Sequence, residues 1–192
     1  MLKTIDNSYL LPEKFEVNRY LPHFYNWIKY HGNHVYNPFS YPTQLVFLNS
    51  RITREEDSHK HQNMNCIIDR SIYEDKLIFT KSLLKLGQIS NEEYEHYCKV
   101  FDIVIKEFPI PDIIILLKTK PEILLERIKR RGREMEKSID LEYLSNLENL
   151  YQNDLKNEML QLSDKLKFFE FDTEKFNTPE LLLSEVSAKV DF

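Results

Sequence analysis

Cys66-Ile67-Ile68-Asp69-Arg70-Ser71-Ile72-Tyr73-Glu74-Asp75 carries the strongest local signal in the chain. Met64 to Ile68 is short and mostly apolar, and it ends abruptly in charge. Such a run predicts a strand that crosses a core and releases Asp69 and Arg70 at its carboxyl end, where ligands sit in open α/β sheets. Ser71 follows as a helix N-cap with Glu74 at the capping-box position, which predicts a helix from about Ile72. Arg70 and Asp75 then fall where both can line one mouth. From spacing alone, Asp69 and Arg70 read equally well as a solvated pair in a polar strand-to-helix turn.

On either side of this stretch the same pattern recurs. Tyr9 to Leu11 predicts a short strand closed by Pro12, with Glu13 just beyond its end. Asn18 to Tyr30 has Tyr20, Leu21, Phe24 and Ile28 at helical spacing. His31 to Pro42 holds Gly32 and several Asn and Pro, and predicts a loop. Thr43 to about Lys60 predicts a helix with Leu45, Leu48 and Ile52 on one stripe and a solvated charged tail from Arg54 to His61. Ile72 to Leu86 predicts a helix stopped by Gly87, and Ser90 with Glu93 caps another that runs to about Phe108. Asp112 to Leu117 predicts a strand buried on both faces, Thr119 a cap for a helix from Lys120 to about Arg131. Ile139 to Lys165 predicts one long helix or two, Lys167 to Phe171 a third strand, and Thr178 to Lys189 a closing helix. Strands separated by helices argue for an α/β fold with a parallel sheet.

The bulk numbers bound the function classes. The length suits a single domain over residues 1–192. A net charge of −5 gives no electrostatic reason to expect nucleic acid as a partner. No apolar run approaches a membrane span and Met1 to Asp6 show no signal core, so no membrane partner and a cytoplasmic location are expected. Cys66 and Cys98 lie far apart with no metal-ligand spacing, and Cys66 reads as a small core residue.

Three groups of residues carry candidate chemistry. Arg127, Arg131 and Arg133 converge near a helix end beside Gly132, and arginine forks suit phosphoryl oxygens. A solvated basic helix paired with its own glutamates is the commoner reading of such a cluster. Glu13 suits a general base on a hydroxyl, or an ordinary surface carboxylate. Gln44 and Arg51, seven apart on nearly one helical face, combine with Asp75 into a set of donors and acceptors able to read a nucleobase edge. Tyr25 reads also as core aromatic and Glu136 as a simple helix carboxylate.

Taken together, these residues resemble the deoxynucleoside kinase family, the group of deoxycytidine, deoxyguanosine and deoxyadenosine kinases, from about Glu13 to Phe192. The resemblance rests on Asp69-Arg70-Ser71-Ile72-Tyr73-Glu74-Asp75, on Arg131-Gly132-Arg133-Glu134-Met135-Glu136 followed by Leu141-Glu142-Tyr143-Leu144, and on Gln44 with Leu48-Asn49-Ser50-Arg51. It implies a three-layer parallel sheet of the P-loop nucleoside kinase type. It implies Glu13 as the base at the sugar 5′-hydroxyl, Tyr25 and Glu136 at the 3′-hydroxyl, and Gln44, Arg51 and Asp75 on the base. It further implies Asp69 near a magnesium ion, Arg70 beside the 5′ position, Arg127, Arg131 and Arg133 as lid arginines, and Phe176 near the adenine of the donor. The implied cofactors are ATP and Mg2+, and the implied partners are a deoxynucleoside and a second subunit, as a homodimer or a heterodimer with a related kinase.

The chain departs from the family pattern in one decisive respect. Family members begin with a strand and a Gly-rich loop ending in Gly-Lys-Ser/Thr. The residues before Glu13 contain no glycine, so the first strand and the P-loop are expected to be missing. The strands around Ile67 and Ile114 would then flank an unfilled slot, each buried unpaired backbone group costing about 1–3 kcal/mol. Either the strands close on each other, another chain fills the slot, or the biological start lies upstream. A second departure is Pro38-Phe39 where the family has Arg-Trp, in a loop longer than in bacterial members. Two functions follow as expectations: phosphoryl transfer from ATP to the 5′-hydroxyl of a purine deoxynucleoside or deoxycytidine if a P-loop completes the chain, or a catalytically impaired pseudokinase or regulatory or structural subunit that binds a deoxynucleoside or a partner kinase.

Overall fold

The computed structural model describes residues 7–13, 15–61, 63–176 and 178–190. Among the described residues, four short parallel strands form two separate two-stranded sheets. β1 (Ser8–Leu11) pairs with β2 (Asn65–Ile68), Ser8 opposite Asn65 and Leu11 opposite Ile68. β3 (Ile113–Lys118) pairs with β4 (Lys167–Asp172), Ile113 opposite Lys167. Parallel pairing needs long crossovers. The first is α1 (Leu21–His31) and α2 (Ser40–His59). The helices α3 (Ile72–Glu74), α4 (Lys81–Lys85) and α5 (Asn91–Val104) link the two sheets, and α6 (Pro121–Arg131), α7 (Leu141–Leu150) and α8 (Lys156–Leu162) make the second crossover. α9 (Pro179–Lys189) follows where a closing helix was expected, with Thr178 accepting from the Leu181 amide at its N-cap.

One main core joins the layers. Leu48 of α2, Ile72, Ile78, Tyr97 and Phe101 pack with Leu150, Leu155 and Met159, and Ile114 and Phe168 of the second sheet lie against them. A satellite cluster of Leu21, Phe24, Ile28, Leu83 and Ile89 seats α1, whose buried positions follow the i, i+3, i+7 spacing of one helical face. A third cluster of Phe171, Leu182, Val186 and Val190 holds α9 on β4.

Two helices carry a π-helical segment. Asp75–Thr80 runs between α3 and α4, where the Thr80 hydroxyl donates to the Asp75 carbonyl at 2.6 Å, and Tyr151–Leu155 runs between α7 and α8. The two segments pack against each other. Such widened turns are concentrated at functional sites because they re-aim a side chain without ending the helix.

The structure corrects several sequence expectations. The loop over His31 to Pro42 ends early, since α2 begins at Ser40 and accommodates Pro42 in its first turn, where no intrahelical amide is needed. The buried Asn37 amide organises this turn: its Oδ1 accepts from the Phe39 amide and its Nδ2 donates to the Phe24 carbonyl. Arg54 is 5% exposed, not part of a solvated tail. Thr119 does not cap α6. Lys120 holds the N-cap position and offers no side-chain bond, and the Thr119 hydroxyl instead meets Thr173 Oγ1 at 2.8 Å. β3 is not buried on both faces, for its residues are half-buried and Leu117 is 45% exposed. Cys66 is half-buried rather than a core residue. Among the described residues β2 and β3 do not pair, so the strands around Ile67 and Ile114 have not closed on each other.

Candidate functional site

The carboxyl ends of β1 and β2 lie level, because the Asp69 amide donates to the Leu11 carbonyl at 3.0 Å. Glu13 and Asp69-Arg70 therefore emerge on the same edge. Ser71 then enters α3 in extended conformation, with its amide donating to Glu74 Oε1 at 2.9 Å, the capping box expected from sequence. Glu74 Oε2 accepts from the Tyr151 hydroxyl at 2.6 Å, so the first π segment's helix is tied to the second.

A cavity of about 510 Å³ opens at this edge. One wall is ionic. Arg51 donates from Nη2 to Glu13 Oε1 at 2.5 Å and from Nε to Asp75 Oδ1 at 3.2 Å, while Arg70 Nη1 reaches Glu13 Oε2 at 3.4 Å. Arg51 and Asp75 side chains are each 2% exposed. A buried guanidinium between two carboxylates is held in its charged form: burial opposes the charge, but Asp75 and Glu13 outweigh it and raise the pKa. Burial likewise pushes the Glu13 carboxyl up, and the cations of Arg70, Arg51 and Arg54 more than reverse it, leaving Glu13 below its usual range. Burial dominates at Asp75, whose pKa rises to about 6 despite Arg51.

The opposite wall comes from the turn after α6. Gly132 adopts φ 71 at the α6 C-cap, the left-handed conformation that glycine takes without a Cβ penalty. The chain turns there into the 3-10 segment Glu134–Glu136. Arg131 donates to Glu136 Oε2 from Nε at 3.2 Å and Nη2 at 2.6 Å, and Arg133 Nη1 donates to Glu136 Oε1 at 3.2 Å. Glu136, 9% exposed, thus gathers both arginines at the cavity rim. Tyr25 and Tyr143 line the floor beside it, their hydroxyls pushed up by burial, Tyr143 to about 12.

The interior end of the cavity holds unsatisfied polar atoms. Gln44 and Asp75 both line it, and Gln44 Oε1 and Asp75 Oδ2 are buried without a hydrogen-bond partner. Buried polar atoms are almost always paired, so an unpaired set facing a cavity marks the place where a ligand supplies the partner. Phe47 and Phe79 add flat apolar surface, and Arg70 lies over the Phe79 ring at 4.8 Å from its centroid.

A deoxynucleoside kinase family model matches residues 3–190. The chain belongs to the deoxynucleoside kinase family. Deoxyadenosine kinase of Dictyostelium discoideum is 34% identical over 184 residues, 94% of this chain and 69% of that protein. The deoxyadenosine/deoxycytidine kinase of Bacillus subtilis (strain 168) is 33% identical over 143 residues, 73% of this chain and 62% of that protein. Among solved structures, deoxyadenosine kinase from M. mycoides with the products dCMP and a flexible dCDP bound superimposes with a TM-score of 0.74 at 25% identity, covering 97% of this chain and 88% of that one. The α/β architecture with parallel strands is that of the P-loop nucleoside kinase fold.

Within this family member the cavity brings together Glu13, Asp69, Arg70, Arg51, Asp75 and Gln44 on one side and Tyr25, Arg131, Arg133 and Glu136 on the other. Two of the residues singled out from sequence stand elsewhere. Arg127 donates to Thr173 Oγ1 at 3.3 Å, and Phe176 packs on the Phe171–Leu182 cluster. Phe39 stacks against His23 and meets Trp27 edge-on. Sequence reasoning missed Phe47, Phe79, Tyr143 and Arg54. Phe47 and Phe79 were legible in part, each one helical turn beyond a singled-out residue region: Phe47 three after Gln44, Phe79 four after Asp75.

The residues fit the two implied cofactors unequally. Among the described residues no three His, Cys, Asp or Glu side chains converge to hold a metal. Mg2+ commonly takes one or two carboxylates and completes its shell with water and phosphate oxygens, which a single Asp69 at the cavity edge can serve. A triphosphate cradle requires consecutive backbone amides on a Gly-rich turn. Gly32, Gly87 and Gly132 each follow a different helix, so the described residues do not fit the donor phosphates.

Proposed function

We propose that this chain is the acceptor-binding part of a deoxynucleoside kinase, specific for bases that carry an exocyclic amino group, and that it phosphorylates the 5′-hydroxyl with ATP and Mg2+ only when a phosphate loop is supplied. The carrying observation is the convergence of Glu13, Arg70, Arg51, Asp75, Gln44 and Glu136 on one cavity. The sugar's 3′-hydroxyl pairs with Tyr25 and Glu136. The base enters between Phe47 and Phe79 and presents its edge to Gln44 and Asp75. An ionised Asp75 Oδ2 accepts from an amino group, as adenine or cytosine offers, whereas the carbonyl of thymine would set oxygen against oxygen.

Glu13 is ionised at neutral pH and holds an acceptor oxygen toward the 5′-hydroxyl. Its arginine partners make it a weaker base than a free carboxylate, so proton transfer comes as the hydroxyl begins to acidify during attack. Arg70 supplies positive charge at the same place, and Arg131 and Arg133 supply it from the opposite rim of the cavity. Mg2+ at Asp69 would neutralise phosphate charge when bound.

The missing fit to donor phosphates favours a second reading, a subunit that binds the nucleoside and lacks catalysis by itself. A phosphotransfer assay separates the two. It is run on the purified chain with deoxyadenosine, deoxycytidine and thymidine, and again after fusing to its N-terminus the strand, phosphate loop and helix of a family member. Turnover with amino-bearing nucleosides in the fusion supports the first reading. An inactive but folded fusion that still binds deoxynucleoside supports the second, and one that binds none removes both.

A further inference from the structure

Arg54 lies on α2 one turn beyond Arg51, is 5% exposed, and makes no ion pair within 4 Å among the described residues. Its guanidinium instead faces main-chain oxygen. Nη1 donates to the Asp69 carbonyl at 2.6 Å and, more weakly, to the Leu11 carbonyl at 3.4 Å, and Nη2 donates to the Arg70 carbonyl at 3.1 Å. Nε finds no partner, so the two terminal nitrogens make all of these contacts. The three carbonyls belong to the ends of β1 and β2, just before Glu13 and around Arg70. Arg70 itself sits at φ 64. For a residue with a Cβ the left-handed region is costly, and it persists where surroundings over-determine it. In that conformation the Arg70 side chain reaches both Glu13 and the Phe79 ring.

We infer that Arg54 is a positioning residue: its fork grips the successive carbonyls of Asp69 and Arg70 and holds the left-handed backbone at Arg70 that aims the Arg70 guanidinium at Glu13. The feature that matters is the two-nitrogen fork rather than the charge. A lysine concentrates its donors on one nitrogen and cannot grip the two successive carbonyls of Asp69 and Arg70 with a rigid fork. Burial and the nearby Arg51 lower the Arg54 pKa to about 10, which still leaves the fork charged near neutral pH.

The test has an arm that does not depend on any nucleoside. Arg70→Gly and Arg70→Ala both remove the side chain, but only glycine takes φ 64 freely. With Arg54 in place, Arg70→Gly is expected to melt roughly 2–8 °C above Arg70→Ala. In an Arg54→Lys background the backbone relaxes and the difference falls away or reverses. Arg54→Met serves the same comparison if the lysine variant does not fold. An unchanged difference in either background overturns the inference.

The second arm rests on the proposed acceptor site. Arg54→Lys is expected to bind deoxyadenosine or deoxycytidine about 10–100-fold more weakly than wild type, and methylguanidine is expected to restore part of the affinity lost in Arg54→Ala. Wild-type affinity in the lysine variant overturns the positioning role. If the wild type binds no deoxynucleoside, the functional reading falls while the melting comparison still decides Arg54.

Discussion

The two sheets of this molecule are built from similar apolar strands, yet they are finished differently. At the β1–β2 end, Arg54 binds the carbonyls of both strands, Arg51 bridges Glu13 and Asp75, and a cavity opens directly beyond. At the β3–β4 end, Thr119 and Thr173 share a hydrogen bond and Lys118 and Lys156 pair with Glu170 in half-exposed positions, where such pairs contribute little. Leu117 stands 45% exposed on β3. The β1–β2 end is closed by buried contacts within the chain, and the β3–β4 end by half-exposed ones. On the proposed reading, acceptor binding rests on the first end alone and is separable from handling of the donor.

The largest expected effect concerns Glu13. In a fusion that carries a phosphate loop, Glu13→Gln keeps the shape but removes the base, and kcat is expected to fall by about 10²–10⁴ with KM for the nucleoside changed far less. Equal losses in kcat and in binding would instead make Glu13 a structural partner of Arg51.

Arg51→Met tests the ionic wall as a structural unit. It leaves Asp75 buried without its cation and Glu13 with only the more distant Arg70, a situation that costs about 3–5 kcal/mol, readable as a lowered urea midpoint. A loss of unfolding free energy below about 1 kcal/mol would mean that the site relaxes and admits water. This part of the site was partly readable beforehand. Gln44 and Arg51 share a helical face, and the Asp69-to-Glu74 turn follows from local capping chemistry. Arg54 was not readable, because its burial depends on carbonyls of residues 11, 69 and 70, remote in sequence, and a charged residue in a charged stretch otherwise reads as solvated. The exposure of Leu117 was hidden for the converse reason: an Ile/Leu run reads as buried, and only the arrangement of neighbouring strands shows that, among the described residues, β3 pairs with β4 alone. The π segments leave no mark in apolar spacing at all.

Asp75→Asn is expected to weaken binding of deoxyadenosine or deoxycytidine by roughly 10–100-fold while changing thymidine little, because the lost acceptor faces the amino group. The same carboxyl predicts a pH effect. Its pKa is raised to about 6, so it is ionised above that value and protonated below it. Protonation replaces an acceptor with a hydroxyl, so Kd for amino-bearing nucleosides should rise as pH falls from 7.5 to 5. A flat profile would place the titration of Asp75 below that window.

The smallest effect sharpens the contrast from the other side. Leu117→Gln in the isolated chain should change stability by no more than about 0.5 kcal/mol, as for other exposed positions. In a fusion whose added strand covers β3, the same substitution should cost about 1–3 kcal/mol by burying an unpaired amide. Equal costs in the two would mean that the added strand does not lie against β3.

Isothermal titration calorimetry of the unmodified chain addresses the separation of acceptor and donor sites most directly, with deoxyadenosine, deoxycytidine and Mg-ATP titrated in turn. Saturable binding of an amino-bearing deoxynucleoside with no saturable Mg-ATP binding is the expected result. Mg-ATP binding as tight as the nucleoside's, or no deoxynucleoside binding at all, would contradict it.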